Sequence, residues 1–296
     1  MRPRLSGRFS VLKISHRSRF SLGSLVGATL AIIILLSATT ACSPGPTETR
    51  QNSFTVTGSS KIVVNSVNGN IEVSAGPGNE VLVQATLRDA PRVNYDVSQM
   101  GNTITVDVQT SKQWGIFGSA GVDVSITAPV KTDVVLNTSN GFIELHGLEG
   151  TGSLKSSNGK IALYNMIGNF DGGTSNGLIE ANAVEGSVIL KTSNGRVDLR
   201  DVDGEFDVES SNGSVSFSGN MTAGGSNRLV TSNGDVVVEL QGEPSVVLDA
   251  ETSNGEVDSE LPIAATVTKK DRLVGKIGDG EADLYIRTSN GDITIR

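Results

Sequence analysis

Four carboxylates occupy equivalent places along the chain and are the first residues that could do chemistry. Each lies three residues after the glycine of an Asn-Gly pair: Glu144, Glu180, Asp198 and Asp258. If those places stack on successive turns of one fold, Glu144 and Glu180 lie about 9–10 Å apart, at the wide limit for the two carboxylates of an inverting glycosidase. We expect this row to be solvated, because its positions point outward. No aromatic platform for a sugar accompanies it. A carbohydrate-active β-helix enzyme therefore stays a remote alternative, and calcium binding by the same oxygens stays open.

Histidine and cysteine chemistry has few candidates. His146 is the one histidine outside the basic N-terminal segment, and Tyr164 takes the equivalent place 18 residues later. A catalytic triad needs a nucleophile beside its histidine, and we interpret His146 as an exposed residue at a bend. The single cysteine, Cys42, excludes an intrachain disulfide and a cysteine metal cluster. We predict no catalytic residue, no cofactor site, no metal site and no enzymatic activity.

The spacing of these residues comes from a repeated tripeptide, Ser-Asn-Gly. Successive copies are separated by 18, 18, 18, 18, 21, 21 and 36 residues, and a fixed period of this kind is typical of a repeat architecture. Aliphatic residues follow each glycine at the second and fourth places, as Ile143 and Leu145 follow Gly141. Alternation by twos predicts strands, and the glycines mark the bends between them.

We predict an all-β fold: a single-stranded parallel β-solenoid, or β-helix, with coils of about 18 residues and a less regular N-terminal β region as its cap. A chain of isolated hairpins is the competing use of Asn-Gly, but it would not keep an 18-residue register. Asparagines should stack at one corner and hydrogen-bond from coil to coil. Asn-Gly is expected there because both residues tolerate a positive φ. The predicted ladder comprises Asn68, Asn140, Asn158, Asn176, Asn194, Asn212, Asn233, Asn254 and Asn290.

The N-terminus has the pattern of an export signal. Residues 1–20 carry six Lys/Arg and no acid, an apolar stretch follows, and small residues lead to Cys42. The run resembles a bacterial lipoprotein signal, in which the cysteine is lipidated, although Thr39 stands where leucine is usual. The alternative is an uncleaved anchor helix, since about 20 apolar residues span a bilayer. We predict a signal peptide over 1–41, a flexible tether over 42–52, an N-terminal β region and cap over 53–130, and a regular solenoid over 131–296.

The net charge and the C-terminal sequence limit the kinds of partner that we expect. Six of the 24 Lys/Arg lie in residues 1–41, which leaves 18 basic and 32 acidic residues and a net charge of −14. That balance disfavours nucleic acid, which requires basic patches. The chain ends at Arg296, directly after the last predicted strand, and the final 36-residue step should hold a coil without the tripeptide around residues 269–280. A bare last coil predicts a homo-oligomer, an envelope scaffold stacked end to end.

These features together resemble the bacterial putative-adhesin family, a β-solenoid domain of unknown function. The resemblance covers residues 53–296 and rests on the serial Ser-Asn-Gly turns, on Val-Asp-Val-Ser-Ile-Thr-Ala-Pro ending at Pro129, and on Ile277-Gly-Asp-Gly280. It implies an envelope protein, and it assigns no functional residue. We therefore predict a non-enzymatic, membrane-tethered, extracytoplasmic protein that binds an unidentified envelope protein or polysaccharide.

Overall fold

The computed structural model describes residues 46–110 and 120–296, together with the backbone of Ile33–Leu35. Almost all of this is strand, with one short 3-10 helix, η1 (Ala90–Arg92). The strands of the N-terminal half are β1 (Ile33–Leu35), β2 (Glu48–Thr55), β3 (Ser60–Asn65), β4 (Ile71–Gly76), β5 (Glu80–Arg88), β6 (Val93–Met100), β7 (Thr103–Thr110), β8 (Gly121–Pro129), β9 (Thr132–Asn137), β10 (Ile143–His146) and β11 (Glu149–Lys155). The remaining strands are β12 (Ile161–Thr174), β13 (Ile179–Thr192), β14 (Val197–Ser210), β15 (Val215–Met221), β16 (Ser226–Thr231), β17 (Val236–Leu240), β18 (Val246–Asn254), β19 (Val257–Ser259), β20 (Ala264–Lys269), β21 (Arg272–Ile277), β22 (Ala282–Asn290) and β23 (Ile293–Ile295).

The coils stack in parallel and form two faces around one core. The front face consists, in spatial order, of β8, β4, β10, the first halves of β12, β13 and β14, then β15, β17, β23 and β19. The back face consists of β7, β3, β9, β11, the second halves of β12, β13 and β14, then β16, β22 and β18. Every neighbouring pair in both series is parallel, which confirms the predicted parallel β-solenoid.

The 18-residue register is kept residue by residue in the central coils. Ile161 pairs with Ile179 and Ile179 with Val197, and all three are fully buried. The strands β12, β13 and β14 run unbroken from the front to the back face around a corner. The sixth residue after each glycine takes a left-handed conformation there, with φ of 55° at Asn165, 54° at Ala183 and 51° at Asp201. This corner turns the chain within a single long strand.

Asparagines line the opposite corner and form one continuous series of hydrogen bonds. From the second coil onward, each amide donates to the amide oxygen of the asparagine on the preceding coil, as in Asn158 to Asn140 and Asn176 to Asn158, both at 2.8 Å. All nine asparagines named in the sequence analysis belong to this series. Its spatial order is Asn68, Asn140, Asn158, Asn176, Asn194, Asn212, Asn233, Asn290 and Asn254.

The glycine that follows each asparagine is required for a different reason from the one predicted. Seven of the nine, including Gly159 and Gly177, do not have the positive φ that we expected. A Cβ on Gly177 would instead lie 1.8 Å from the carbonyl oxygen of Gly159, and a Cβ on Gly159 would lie 1.6 Å from that of Gly141. The backbones of successive coils therefore approach too closely at this corner for any side chain, and the expectation of left-handed turns was wrong.

Buried hydroxyls fix the same corner from inside. Thr174 donates to the carbonyl of Gly159 at 3.0 Å and accepts from the amide of Gly177 at 3.2 Å. Thr192 makes the equivalent pair of bonds with Gly177 and Gly195, at 3.1 and 3.2 Å. Each hydroxyl thus joins its own coil to the preceding one and satisfies two backbone groups that would otherwise be buried without partners.

The spatial order of the coils departs from chain order at both ends. Strands β3 and β4 lie between β7–β8 and β9–β10, so Asn68 contacts Asn140, 72 residues away. At the other end, β22 inserts between β16 and β18, and β23 inserts between β17 and β19. The last strand is therefore paired on both sides, and the prediction of a bare C-terminal coil was wrong. The premise of an end-to-end scaffold through that strand fails with it.

Antiparallel strands close the two ends of the described solenoid. At the N-terminal end β2 and β5 extend the front face and β6 extends the back face, which confirms a less regular N-terminal cap. At the C-terminal end β20 and β21 form a hairpin on β18. This hairpin occupies the segment in which a further coil was predicted around residues 269–280, so that prediction was also wrong.

Candidate functional site

The predicted carboxylate row lies on the outer surface of the front face. Glu144, Ala162, Glu180 and Asp198 occupy successive coils in direct register. Asp258 is not with them, because Ser216, Val237 and Thr294 separate it from Asp198 along the same row. The structure thus brings together three of the four acidic residues.

Each of the first two carboxylates has a cationic or aromatic partner. Glu144 is 2.7 Å from Nε2 of His146. Glu180 is 2.5 Å from Nζ of Lys160 and accepts a hydrogen bond of 3.0 Å from the hydroxyl of Tyr164. The hydrogen bond from Lys160 is the main cause that lowers the pKa of the Glu180 carboxyl below its usual value. A general acid for glycoside cleavage needs the opposite shift.

Asp198 contradicts the expectation of a solvated row. Its side chain is only 5% exposed, and the guanidinium groups of Arg196, just before β14, and Arg200, within β14, lie next to it on either side. Arg200 makes a short hydrogen bond to the carboxylate, and the hydroxyl of Ser216 donates to its other oxygen at 2.8 Å. A buried carboxylate with two cations and a hydroxyl is a fixed structural element that holds both arginines in place.

His146 lies in an aromatic pair that sequence reasoning missed. Its ring stacks on Tyr164 on the next coil, with centroids 5.0 Å apart and planes 17° apart. Among the described residues, no serine or threonine hydroxyl is hydrogen-bonded to the imidazole, so the arrangement is not a catalytic triad. The signal was present in the sequence, since both residues follow an Asn-Gly glycine by five places. His146 is the last residue of β10, beside the bend, and its side chain is 37% exposed, so the interpretation as an exposed bend residue missed only this stacking.

The fifth places of successive coils form an outward row that we name the front row: His146, Tyr164, Asn182 and Arg200. The side chains of Lys160, Glu180 and Asp198 border it. Asn182 is short, and a notch of about 120 Å³ opens above it between Tyr164 and Arg200. The front row and this notch place an aromatic ring, an amide, two carboxylates and a guanidinium around one concave surface.

Other predicted positions stand as follows. Cys42 and the predicted signal lie outside the described residues, apart from the backbone of Ile33–Leu35, which pairs antiparallel with β2. Within the described ranges, no helix is long and apolar enough to cross a membrane. The same ranges contain no cluster of three or more His, Cys, Asp or Glu side chains arranged to hold a metal ion.

Comparison with solved structures gives distant similarity over most of the chain. A "putative adhesin" from Bacteroides fragilis is 13% identical, with a TM-score of 0.45, over 84% of this chain and 97% of that chain. A second "putative adhesin", from Parabacteroides distasonis, is 14% identical, with a TM-score of 0.38, over 85% and 98% of the two chains. A "putative lipid binding protein" from the same species is 13% identical, with a TM-score of 0.37, over 84% and 97%. Likeness at this level says nothing about a ligand.

Comparison of sequences identifies the family. No curated protein matches the chain. The family profile described as Toastrack DUF4097 matches residues 59–296, which include both faces of the solenoid and the front row. The resemblance seen in the Ser-Asn-Gly turns is thereby confirmed, and the chain belongs to the Toastrack DUF4097 family.

Proposed function

We propose that this chain is a non-enzymatic, extracytoplasmic protein of the bacterial envelope that binds an envelope or extracellular component in the manner of an adhesin. The N-terminal sequence supports export and tethering, because a basic segment, an apolar segment and small residues precede Cys42. The tether would be a lipid on Cys42 or the apolar segment itself. The acidic balance of the remaining chain supports a partner that is not a nucleic acid.

The observation that carries the proposal is the front row. Three of its four side chains are held in place before any ligand arrives: His146 and Tyr164 by the stacking of their rings, Tyr164 also by its hydrogen bond to the Lys160–Glu180 pair, and Arg200 by Asp198. Preorganised polar and aromatic groups on a rigid sheet suit recognition, because little side-chain entropy is lost on binding. The lowered pKa of Glu180 supports binding over acid catalysis at the same surface.

The test uses the full chain, purified in detergent and immobilised, to capture components from an isolated bacterial envelope fraction. We expect capture of a defined envelope protein or polysaccharide that is weakened by Tyr164→Ala with Arg200→Ala. Lys191→Ala on the back face is the matched control and should leave capture intact. Hydrolysis of a polysaccharide that is abolished by Glu180→Gln would refute a purely binding role.

Tethering is tested separately. The full chain expressed with its N-terminus should fractionate with membranes and incorporate a labelled fatty acid, and Cys42→Ser should abolish the labelling. Membrane association that persists in Cys42→Ser without any label would assign the tether to the apolar segment. Recovery of both forms in the cytoplasm would refute an extracytoplasmic protein.

A further inference from the structure

The notch in the front row has the width of one flat ring. Tyr164 and Arg200 lie two coils apart in a parallel in-register sheet, so their backbones are about 9.6 Å apart. A ring in van der Waals contact with a wall on each side needs about 7–8 Å. Asn182 forms the floor between them and is only half buried. The space therefore accepts one ring and excludes two stacked rings.

One wall of the notch is an aromatic face. The imidazole of His146 covers one face of the Tyr164 ring, the face toward the coil of His146. The opposite face of the ring is therefore turned toward Asn182 on the next coil. Lys160 does not block that side, because its Nζ lies at the hydroxyl end of the ring, 3.1 Å from the oxygen and 5.7 Å from the ring centroid. Tyr164 is thus supported from behind and offers an apolar surface to the notch.

Every charged group at the notch already has a partner of opposite charge. Glu180 is paired with Lys160, and Asp198 with Arg200 and Arg196. A charged ligand would have to compete with one of these pairs. An aromatic hydrocarbon would cover the amide of Asn182 and those N–H groups of Arg200 that do not bond to Asp198, and would offer them no hydrogen bond, which costs binding free energy. An uncharged ring that has an apolar face and several hydroxyls satisfies all of these groups.

We propose that this notch binds one sugar ring of an uncharged oligosaccharide. The C–H face of the ring packs against Tyr164. Its hydroxyls donate to the free lone pairs of Glu180 and accept from Asn182 and Arg200. This inference rests on the proposed binding function and names the class of ligand that the front row recognises.

The experiment titrates the full chain, in a detergent without a sugar headgroup, with neutral tetrasaccharides of glucose, mannose and N-acetylglucosamine, and with polygalacturonate as an anionic control. Isothermal titration calorimetry gives the dissociation constant. We expect binding of at least one neutral tetrasaccharide. Tyr164→Ala should weaken it at least tenfold, and Asn182→Tyr, which fills the notch, should abolish it. Tyr285→Ala, on β22 of the back face, is the matched control and should bind as the unchanged chain does.

The outcomes separate this inference from the function on which it rests. If no neutral tetrasaccharide binds while envelope capture persists, the sugar site is refuted and the proposed function stands. If neither occurs, both fail. Binding that survives Asn182→Tyr, or binding of polygalacturonate alone that salt abolishes, overturns the notch as the site. An unfolding curve is recorded for each variant, so that a loss of binding caused by misfolding is recognised. If Tyr164→Ala does not fold, Asn182→Tyr still tests whether the sugar binds in the notch.

Discussion

Replacing Gly177 with alanine should reveal how tightly the coils are pressed together at the asparagine corner. The new methyl carbon would lie 1.8 Å from the carbonyl oxygen of Gly159 and 2.9 Å from the hydroxyl of Thr174. Relief of the first contact requires the two coils to separate by roughly 1 Å or more. That movement strains the core by about 1–3 kcal/mol and weakens two hydrogen bonds worth about 1 kcal/mol each: Thr174 to Gly159, and Asn176 to Asn158.

We therefore expect Gly177→Ala to lower the free energy of unfolding by about 3 kcal/mol. Urea denaturation followed by circular dichroism measures this as a fall of about 1 M in the midpoint. Two other glycines are matched controls. Gly173→Ala meets nothing closer than 3.9 Å and should change stability by less than about 0.5 kcal/mol. Gly224→Ala has open space but a φ of +77° and should cost about 1 kcal/mol. If Gly177→Ala is no worse than Gly224→Ala, the explanation by close stacking is wrong.

Three further predictions concern other parts of the described chain. Burial raises the pKa of Tyr95 to about 12 from 10.0. The contribution of Tyr95 to the free energy of unfolding is therefore fully present below pH 10.0 and is lost as the pH rises toward 12. Tyr95→Phe should remove both this loss of stability and the late phase of an ultraviolet titration of the tyrosines. Lys160→Met should raise the pKa of the Glu180 carboxyl, measured by carbon-13 NMR, because the ammonium is the main cause of its lowering; the stabilisation from Glu180, present at neutral pH, would then be lost at a higher pH on acidification. Ile295→Ala should cost about 3 kcal/mol in urea denaturation, because Ile295 is fully buried and its strand is paired on both sides; a loss below about 1 kcal/mol would indicate a frayed end.

The coil itself could be predicted because its physics is local and repeated. An aliphatic residue at the second and fourth places, a hydroxyl at the fifteenth and glycine at the turn recur every 18 residues, and only stacking puts each type over its own copy. The same logic places Asn68 at the asparagine corner although it lies 72 residues before Asn140. Periodicity identifies the corner to which a residue belongs, and it does not say which coil lies next to it.

The order of the coils at the ends could not be predicted for that reason. The Ser-Asn-Gly at the end of β22 would be the same in a terminal coil and in a coil inserted between β16–β17 and β18–β19. The 36-residue step fitted two periods by arithmetic, whereas residues 264–277 form an antiparallel hairpin. Alternation by twos is common to both arrangements, so the sequence pattern does not separate them.

The front row was visible in the sequence only in part. His146 and Tyr164 share an offset from their glycines, but the stacking of their rings depends on side-chain rotamers. The burial of Asp198 depends on the side chains of Arg196 and Arg200, which precede and follow it by two residues and fold toward it. The short Asn182 between two long side chains becomes a notch only once the coils are known to be in register. Side-chain packing between coils, rather than residue type, creates this candidate site.

The insertion of β22 and β23 between earlier strands imposes an order of assembly on the chain as it is synthesised. Strand β18 pairs with β21 and β22, and it is joined to the body of the solenoid through β22, which lies between it and β16. Because β18, β20 and β21 are translated before β22, they can pair with one another before they can join the rest of the back face. Residues 282–295, which are translated after this segment, join it to β16 and β17, and a chain truncated before residue 282 would leave one edge of both strands unpaired.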